Sequence, residues 1–211
     1  MSVSPTTTAI GTARRGLKPA MLARVGDEHI GRFIRETMET EGGDTRQVIS
    51  DPHRLTAMVL LGIQNKEHFP LIFYRENCAD MGLCEDDIDP NFISQAHAVL
   101  VSGTHLSTPS VAAASHKAMK LARANDSKVV LDIDYRPNLW NLAGHGEGES
   151  RFIADQGVSR HLQNYLGDCD LIVGTEEEFH IAGGSENTLA ALSRVRELTD
   201  AVLVCKRGAM G

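Results

Sequence analysis

"VVLDIDYRPNLW", residues 129–140, decides the fold. Val129, Val130 and Leu131 form an unbroken aliphatic run, the pattern of a strand covered on both faces in a parallel sheet. The run ends in Asp132, Asp134 and Arg136, and Pro137 restricts the conformation of Arg136 and stops the strand. A buried strand that finishes in two acids and an arginine needs a use for those charges. In open α/β sheets ligands sit at the carboxyl ends of the strands, where loops gather polar groups while the strands stay packed.

The same pattern repeats outward from this stretch. "AVLVSG" (98–103), "LIVGT" (171–175) and "AVLVCKRG" (201–208) are short aliphatic runs separated by helical stretches, one of them near Leu189 to Leu198. Such alternation predicts an α/β fold: a mostly parallel, Rossmann-like sheet with helices on both faces. Each run ends in something polar, "SGTH", "DIDYR", "GTEEE" or "CKRG". A capping role explains any one of these endings, whereas the recurrence favours a site at one rim of the sheet.

Toward the N-terminus the spacing predicts a helix, a turn at Gly16, a short strand Ala20 to Val25 and a second helix from about Glu28 to Glu41. Between residues 54 and 77 the pattern changes. "LTAMVLLGI" and "FPLIFYREN" are two extended runs joined by "QNKEH", which predicts an antiparallel hairpin projecting from the main sheet or lying at its edge. The Gly-rich "AGHGEGES" (143–150) reads as a surface loop.

Composition narrows the function classes. With 211 residues, 42% hydrophobic and 23% charged, the chain is long enough for one good-sized domain. A net charge of -7 provides no broad basic field, so nucleic acid and acidic membrane surfaces are not expected partners, and small molecules are. No apolar segment approaches the ~20 residues that span a bilayer. Cys78, Cys84, Cys169 and Cys205 show no paired CxxC spacing, which fits reduced thiols and a cytoplasmic location. His29, His105 and His180 lack metal-binding spacing and read as loop or cap residues, so no zinc is expected.

The stretch 9–26 places a small residue, Gly16 and Gly26 at the spacing of the first signature of PfkB-type sugar kinases. In order along the chain follow "RVGDEHIGRFI", "FPLIFYRENCADM", "SGTHLS", "LDIDYRPNLW" and "IVGTEEEFHIAGG". This set resembles the PfkB, ribokinase-like carbohydrate kinases from about Ser4 onward, and within them the branch that acts on 5-dehydro-2-deoxy-D-gluconate in inositol catabolism. The resemblance implies ATP and Mg2+ as cofactors, a sugar acid as substrate, and residues 54–77 as a β lid that can also join two copies into a homodimer.

The chain departs from the family at Ser2, Val3 and Thr7, where members carry a Gly-Gly pair and an asparagine. The family's first strand, with its sugar-binding acid, is expected ahead of that point. No Gly-Ala-Gly-Asp, the motif that supplies the family's catalytic base and anion hole, occurs in residues 1–211. The expectation is therefore an incomplete ribokinase-like domain over 1–211, truncated at both ends and inactive in isolation.

Phosphoryl transfer needs positioned cations, magnesium and a base near the accepting hydroxyl. At the end of the second hairpin run, Tyr74 and Arg75 are substrate-binding candidates, since a guanidinium fork matches a carboxylate through two parallel hydrogen bonds; the plain alternative is a surface arginine on an edge strand. By resemblance Arg136 reaches sugar and transferred phosphate, and a salt bridge to Asp132 or Asp134 is compatible with that. Asp132 is a candidate for the magnesium shell through water, or a strand-end cap. The family's Asn-x-x-Glu falls on Thr175 to Glu178, which makes Glu178 a holder of a magnesium-bound water and Thr175 a hydroxyl in place of an amide. Three consecutive glutamates equally suit the first turn of a helix. Lys206 and Gly208, in "CKRGAMG", resemble the turn that meets ATP phosphates.

Two alternatives stand beside the sugar-acid kinase: a 2-keto-3-deoxygluconate or fructose kinase, and a non-catalytic fragment that binds sugar acid or pairs with another subunit.

Overall fold

A computed structural model of the chain describes residues 4–63, 65, 71–144 and 152–208. The chain divides into two compact units, Met1–Leu83 and Cys84–Gly211.

In the first unit, helix α1 (Ser4–Ala13) leads to strand β1 (Ala20–Gly26), helix α2 (His29–Thr40) and strand β2 (Asp44–Asp51). Gly16, at φ 85°, makes the left-handed turn between α1 and β1. Strands β1 and β2 are parallel, with Ala20 opposite Asp44 and Gly26 opposite Asp51. Alternation along β1 buries Met21, Ala23 and Val25, which meet Ile34 and Met38 of α2 and Val48 of β2 in one core. The helix presents Gly31, Ile34 and Met38 inward at the spacing of one helical face.

Strand β2 has no counterpart in the sequence pattern. Its buried positions, Thr45, Val48 and Asp51, recur every third residue, and two of the three are polar, so period-two alternation is absent. The expected hairpin is present: β3 (Met58–Leu61) and β4 (Leu71–Tyr74) pair antiparallel, with Met58 opposite Tyr74. Its connecting residues 66–70 lie outside the described residues. Met58, Leu60, Leu61, Ile72 and Tyr74 are all exposed on it.

The second unit holds α3 (Pro90–Ile93), β5 (Ala98–Ser102), α4 (Pro109–Ala124), β6 (Lys128–Asp132), α5 (Gln156–Leu166), β7 (Leu171–Thr175), α6 (Glu176–Gly183), α7 (Thr188–Leu198) and β8 (Val202–Lys206). The four strands form one parallel sheet in the order β5-β6-β7-β8. Val129, Leu131 and Ile172 of the strands are buried, as are Met119, Leu162, Leu166 and Phe179 of the flanking helices. Alanines 114, 118 and 122 line the inner face of α4 and allow it to lie close. Consecutive strands neighbour one another through helical crossovers, so every carboxyl end emerges at the same rim. Most of "AGHGEGES" and residues 209–211 fall outside the described residues.

Candidate functional site

The rim of the second sheet is built from local rules. Strand β6 stops at Asp132, and Ile133 remains buried, its amide donating to the Val173 carbonyl at 2.9 Å. Asp134 then turns the chain at φ 37°, a left-handed conformation rare outside glycine, asparagine and aspartate. The turn sends Tyr135 inward, where its hydroxyl donates to the Ile153 carbonyl at 2.6 Å and burial pushes it up to about 12. Arg136 is left facing back toward the acids.

Arg136 Nη2 lies 2.7 Å from Asp134 Oδ1, and Nη1 lies 3.6 Å from Glu178 Oε1. The arginine's salt bridge is thus made to Asp134. Glu178 is 4% exposed and sits in the first turn of α6. Its Oε2 accepts from the Thr175 amide at 2.7 Å, its Oε1 accepts from the Tyr135 amide at 3.2 Å, and Thr175 Oγ1 accepts from the Glu178 amide at 3.2 Å. This reciprocal arrangement is a capping box. It orients Glu178 toward β6 and leaves the Thr175 hydroxyl proton available to donate.

Lys206, at the end of β8, brings Nζ to 3.7 Å from Asp132 Oδ1, an oxygen that is buried and has no hydrogen-bond partner among the described residues. Burial pushes the Asp132 carboxyl above the ordinary range; the positive charges of Lys206 and Arg136 oppose that shift and the charge of Asp134 adds to it. Burial likewise raises Glu178, opposed by the Thr175 amide, Arg136 and Lys206, with Asp132 adding to the rise. Two acids and two cations therefore share one electrostatic field. Gly208 has φ 58° and open space where a Cβ would stand, so conformation is what glycine supplies there.

Among the described residues, no group of three or more His, Cys, Asp or Glu side chains is placed to hold a metal ion. A pair of acids with an unpartnered oxygen does fit magnesium that keeps most of its waters and takes its other ligands from phosphates.

Tyr74 and Arg75 belong to the first unit. Arg75 is not a surface arginine: its side chain is 13% exposed, and Nε and Nη2 both lie 2.6 Å from Asp80 Oδ2. Tyr74 is exposed. The root of their hairpin is fixed by carboxylates. Glu28 caps α2 and accepts from the amide and hydroxyl of Thr56, while Asp51 accepts from the His53 and Arg54 amides and from Arg54 Nη1 at 3.1 Å. Glu28 and Asp51 were not evident as such anchors from the sequence, because the partners of a lone acid are set by tertiary contacts. Ser102, whose hydroxyl donates to Asp134 Oδ2 at 2.9 Å, was signalled only by the polar ending "SGTH".

Cations and acids gathered at the carboxyl rim of a parallel sheet stand where open α/β proteins bind their ligands. Residues 4–211 match the model of the pfkB family of carbohydrate kinases, and the chain belongs to that family. It is 34% identical over 177 residues to the 5-dehydro-2-deoxygluconokinase of Geobacillus kaustophilus, covering 83% of this chain and 49% of that one. Among solved structures it is similar to a PfkB protein from Polaromonas sp. JS666, with a TM-score of 0.80, 26% identity, and coverage of 98% of this chain and 66% of that chain. Fructokinase with bound ATP from Xylella fastidiosa shares the fold at a TM-score of 0.81 and 18% identity, over 98% of this chain and 63% of that one. The chain spans about half the length of the curated relatives it matches. No helix among the described residues is long and apolar enough to cross a membrane.

Proposed function

We propose that the chain serves ATP-dependent phosphorylation of a sugar acid, 5-dehydro-2-deoxy-D-gluconate, in inositol catabolism in the cytoplasm. The observation that carries the reading is the rim cluster in which Arg136, Lys206, Asp132 and Glu178 share one field. In it, Arg136 and Lys206 supply positive charge for phosphate oxygens, and Gly208 allows close backbone approach. Glu178 and Asp132 hold water bound to Mg2+, which supplies charge neutralisation on the transferring phosphoryl group. Thr175 donates its hydroxyl toward the nucleotide. Arg75, with Tyr74, receives the sugar acid's carboxylate, and Asp80 presents its guanidinium. The hairpin over 54–77 acts as the lid, and its exposed apolar side chains suit a contact between two copies.

The test is coupled-assay turnover of ATP with 5-dehydro-2-deoxy-D-gluconate, 2-keto-3-deoxygluconate and fructose. It uses the 211-residue chain beside a protein continued to the length of the relatives. Turnover fastest with the first substrate by the longer protein supports the reading; preference for fructose replaces it with the sugar-kinase alternative. The absence of Gly-Ala-Gly-Asp from residues 1–211 favours a second reading for the chain alone, sugar-acid binding without transfer. Loss of the base by itself costs about a hundredfold to ten-thousandfold in rate. Turnover by the 211-residue chain within tenfold of the longer protein excludes this second reading. Sedimentation velocity showing only monomer at high concentration removes the dimer.

A further inference from the structure

We propose that Asp134 is a positioning residue that fixes the guanidinium of Arg136; the inference rests on the binding role given above to Arg136. Asp134 is buried, and its two oxygens are divided between two strand ends. Oδ1 meets Arg136 Nη2 at 2.7 Å, and Oδ2 accepts from Ser102 Oγ at 2.9 Å. A hydroxyl carries one proton. With that proton committed to Asp134, the 2.8 Å contact between Ser102 and Thr104 has Thr104 Oγ1 donating to Ser102 Oγ. Two donors thus converge on the carboxylate, Ser102 from the end of β5 and Arg136 from beyond β6, and together they fix which oxygen faces the arginine.

The backbone is built to hold this arrangement. Asp134 sits at φ 37°, and such conformations persist where the surroundings over-determine them. Directly beside it, Gly103 passes so close that a Cβ would stand 2.1 Å from the Ile133 carbonyl oxygen. The backbone leading into Asp134 is therefore closely backed by Gly103, while Ser102 holds the carboxylate. Arg136 gains a second restraint as Nη1 donates to the Tyr135 carbonyl at 2.6 Å. Its Nε has no hydrogen-bond partner among the described residues, so one edge of the fork remains for an anion.

A strand-end acid can also be merely structural, and a double-mutant cycle separates the two roles. Pyrophosphate is titrated by calorimetry into the full chain and into Asp134→Ala, Asp134→Asn, Arg136→Ala and Asp134→Ala/Arg136→Ala, with thermal midpoints measured in parallel. Positioning predicts that Asp134→Ala and Arg136→Ala each weaken binding about tenfold, and that the double variant binds no more weakly than Arg136→Ala. The fall in thermal midpoint caused by Asp134→Ala persists in both backgrounds. Asp134→Asn restores most of the affinity, because its amide oxygen accepts from Arg136 and its nitrogen donates to Ser102. Additive losses in the double variant, or no loss in Asp134→Ala, overturn the proposal. If Arg136→Ala leaves pyrophosphate affinity unchanged, the binding role of Arg136 is what fails. Positioning is then judged by the NMR order parameter of the Arg136 Nε–H bond: rigid in the parent and in Asp134→Asn, mobile in Asp134→Ala. An equally rigid Nε–H bond in Asp134→Ala sinks the inference.

Discussion

At the scale of single residues, Asp132 and Glu178 show how one direction of pKa shift leads to opposite mutational outcomes. Burial raises both carboxyls. A carboxyl raised on folding contributes stability that is complete below its unfolded value, about 4, and is lost as the pH climbs through the folded value. Asp132 has one buried oxygen with no hydrogen-bond partner among the described residues, and its cation is half exposed. Asp132→Asn is therefore expected to raise the thermal midpoint at pH 7, with the gain shrinking as the pH falls toward about 4. Circular-dichroism melts across that range check it; a gain that does not vary with pH removes burial as the cause. Glu178 has both oxygens occupied by backbone amides. In Glu178→Gln the new amide nitrogen must face one of those N–H groups. Chemical denaturation at pH 7 should show a loss of about 1–3 kcal/mol, the cost of a buried donor left unpaired.

At the scale of elements, α6 depends on Thr175, the residue that caps it. Thr175→Ala removes the side-chain half of the capping box and should cost about 1 kcal/mol, whereas Thr175→Asn, which restores a capping oxygen, should cost much less. Urea titrations of both variants decide between a cap and a residue without local consequence. The elements legible in the sequence were α1, β1 and α2 with the turn at Gly16, the strands β5, β6, β7 and β8 with their high aliphatic content, and the hairpin signalled by two extended runs. Strand β2 escaped because Asp44, Arg46 and Gln47 make it look like a loop, and its place is set by pairing with β1. The site divides along the same line. That Arg136 would meet an acid followed from their proximity in sequence. The choice of Asp134 came from its left-handed turn, a conformation that aspartate tolerates but whose place the aliphatic pattern does not mark. The burial of Arg75 against Asp80 depended on the turn over Ala79–Gly82, a short 3-10 turn with no periodic signal.

At the scale of the whole molecule, two hydrophobic cores divide the chain. Met38, 1% exposed, sits in the core shared by β1, α2 and β2, and Phe179, fully buried, lies among the residues of the second unit. Stability is distributed in cooperative blocks that open with separate free energies, and a cavity weakens the block that contains it. Truncating a fully buried phenylalanine costs about 3–5 kcal/mol, and a methionine about 2–5 kcal/mol. Phe179→Ala should therefore speed amide hydrogen exchange in β6 and β7 by orders of magnitude while leaving β1 and β2 near their parent rates. Met38→Ala should do the reverse. Exchange followed by mass spectrometry on peptides spanning 20–26, 44–51, 128–132 and 171–175 reads both effects in one experiment. If either substitution accelerates all four segments equally, the chain opens as one cooperative block. The first unit would then be coupled to the second through global stability, because any ligand that tightened one unit would protect the other to the same degree.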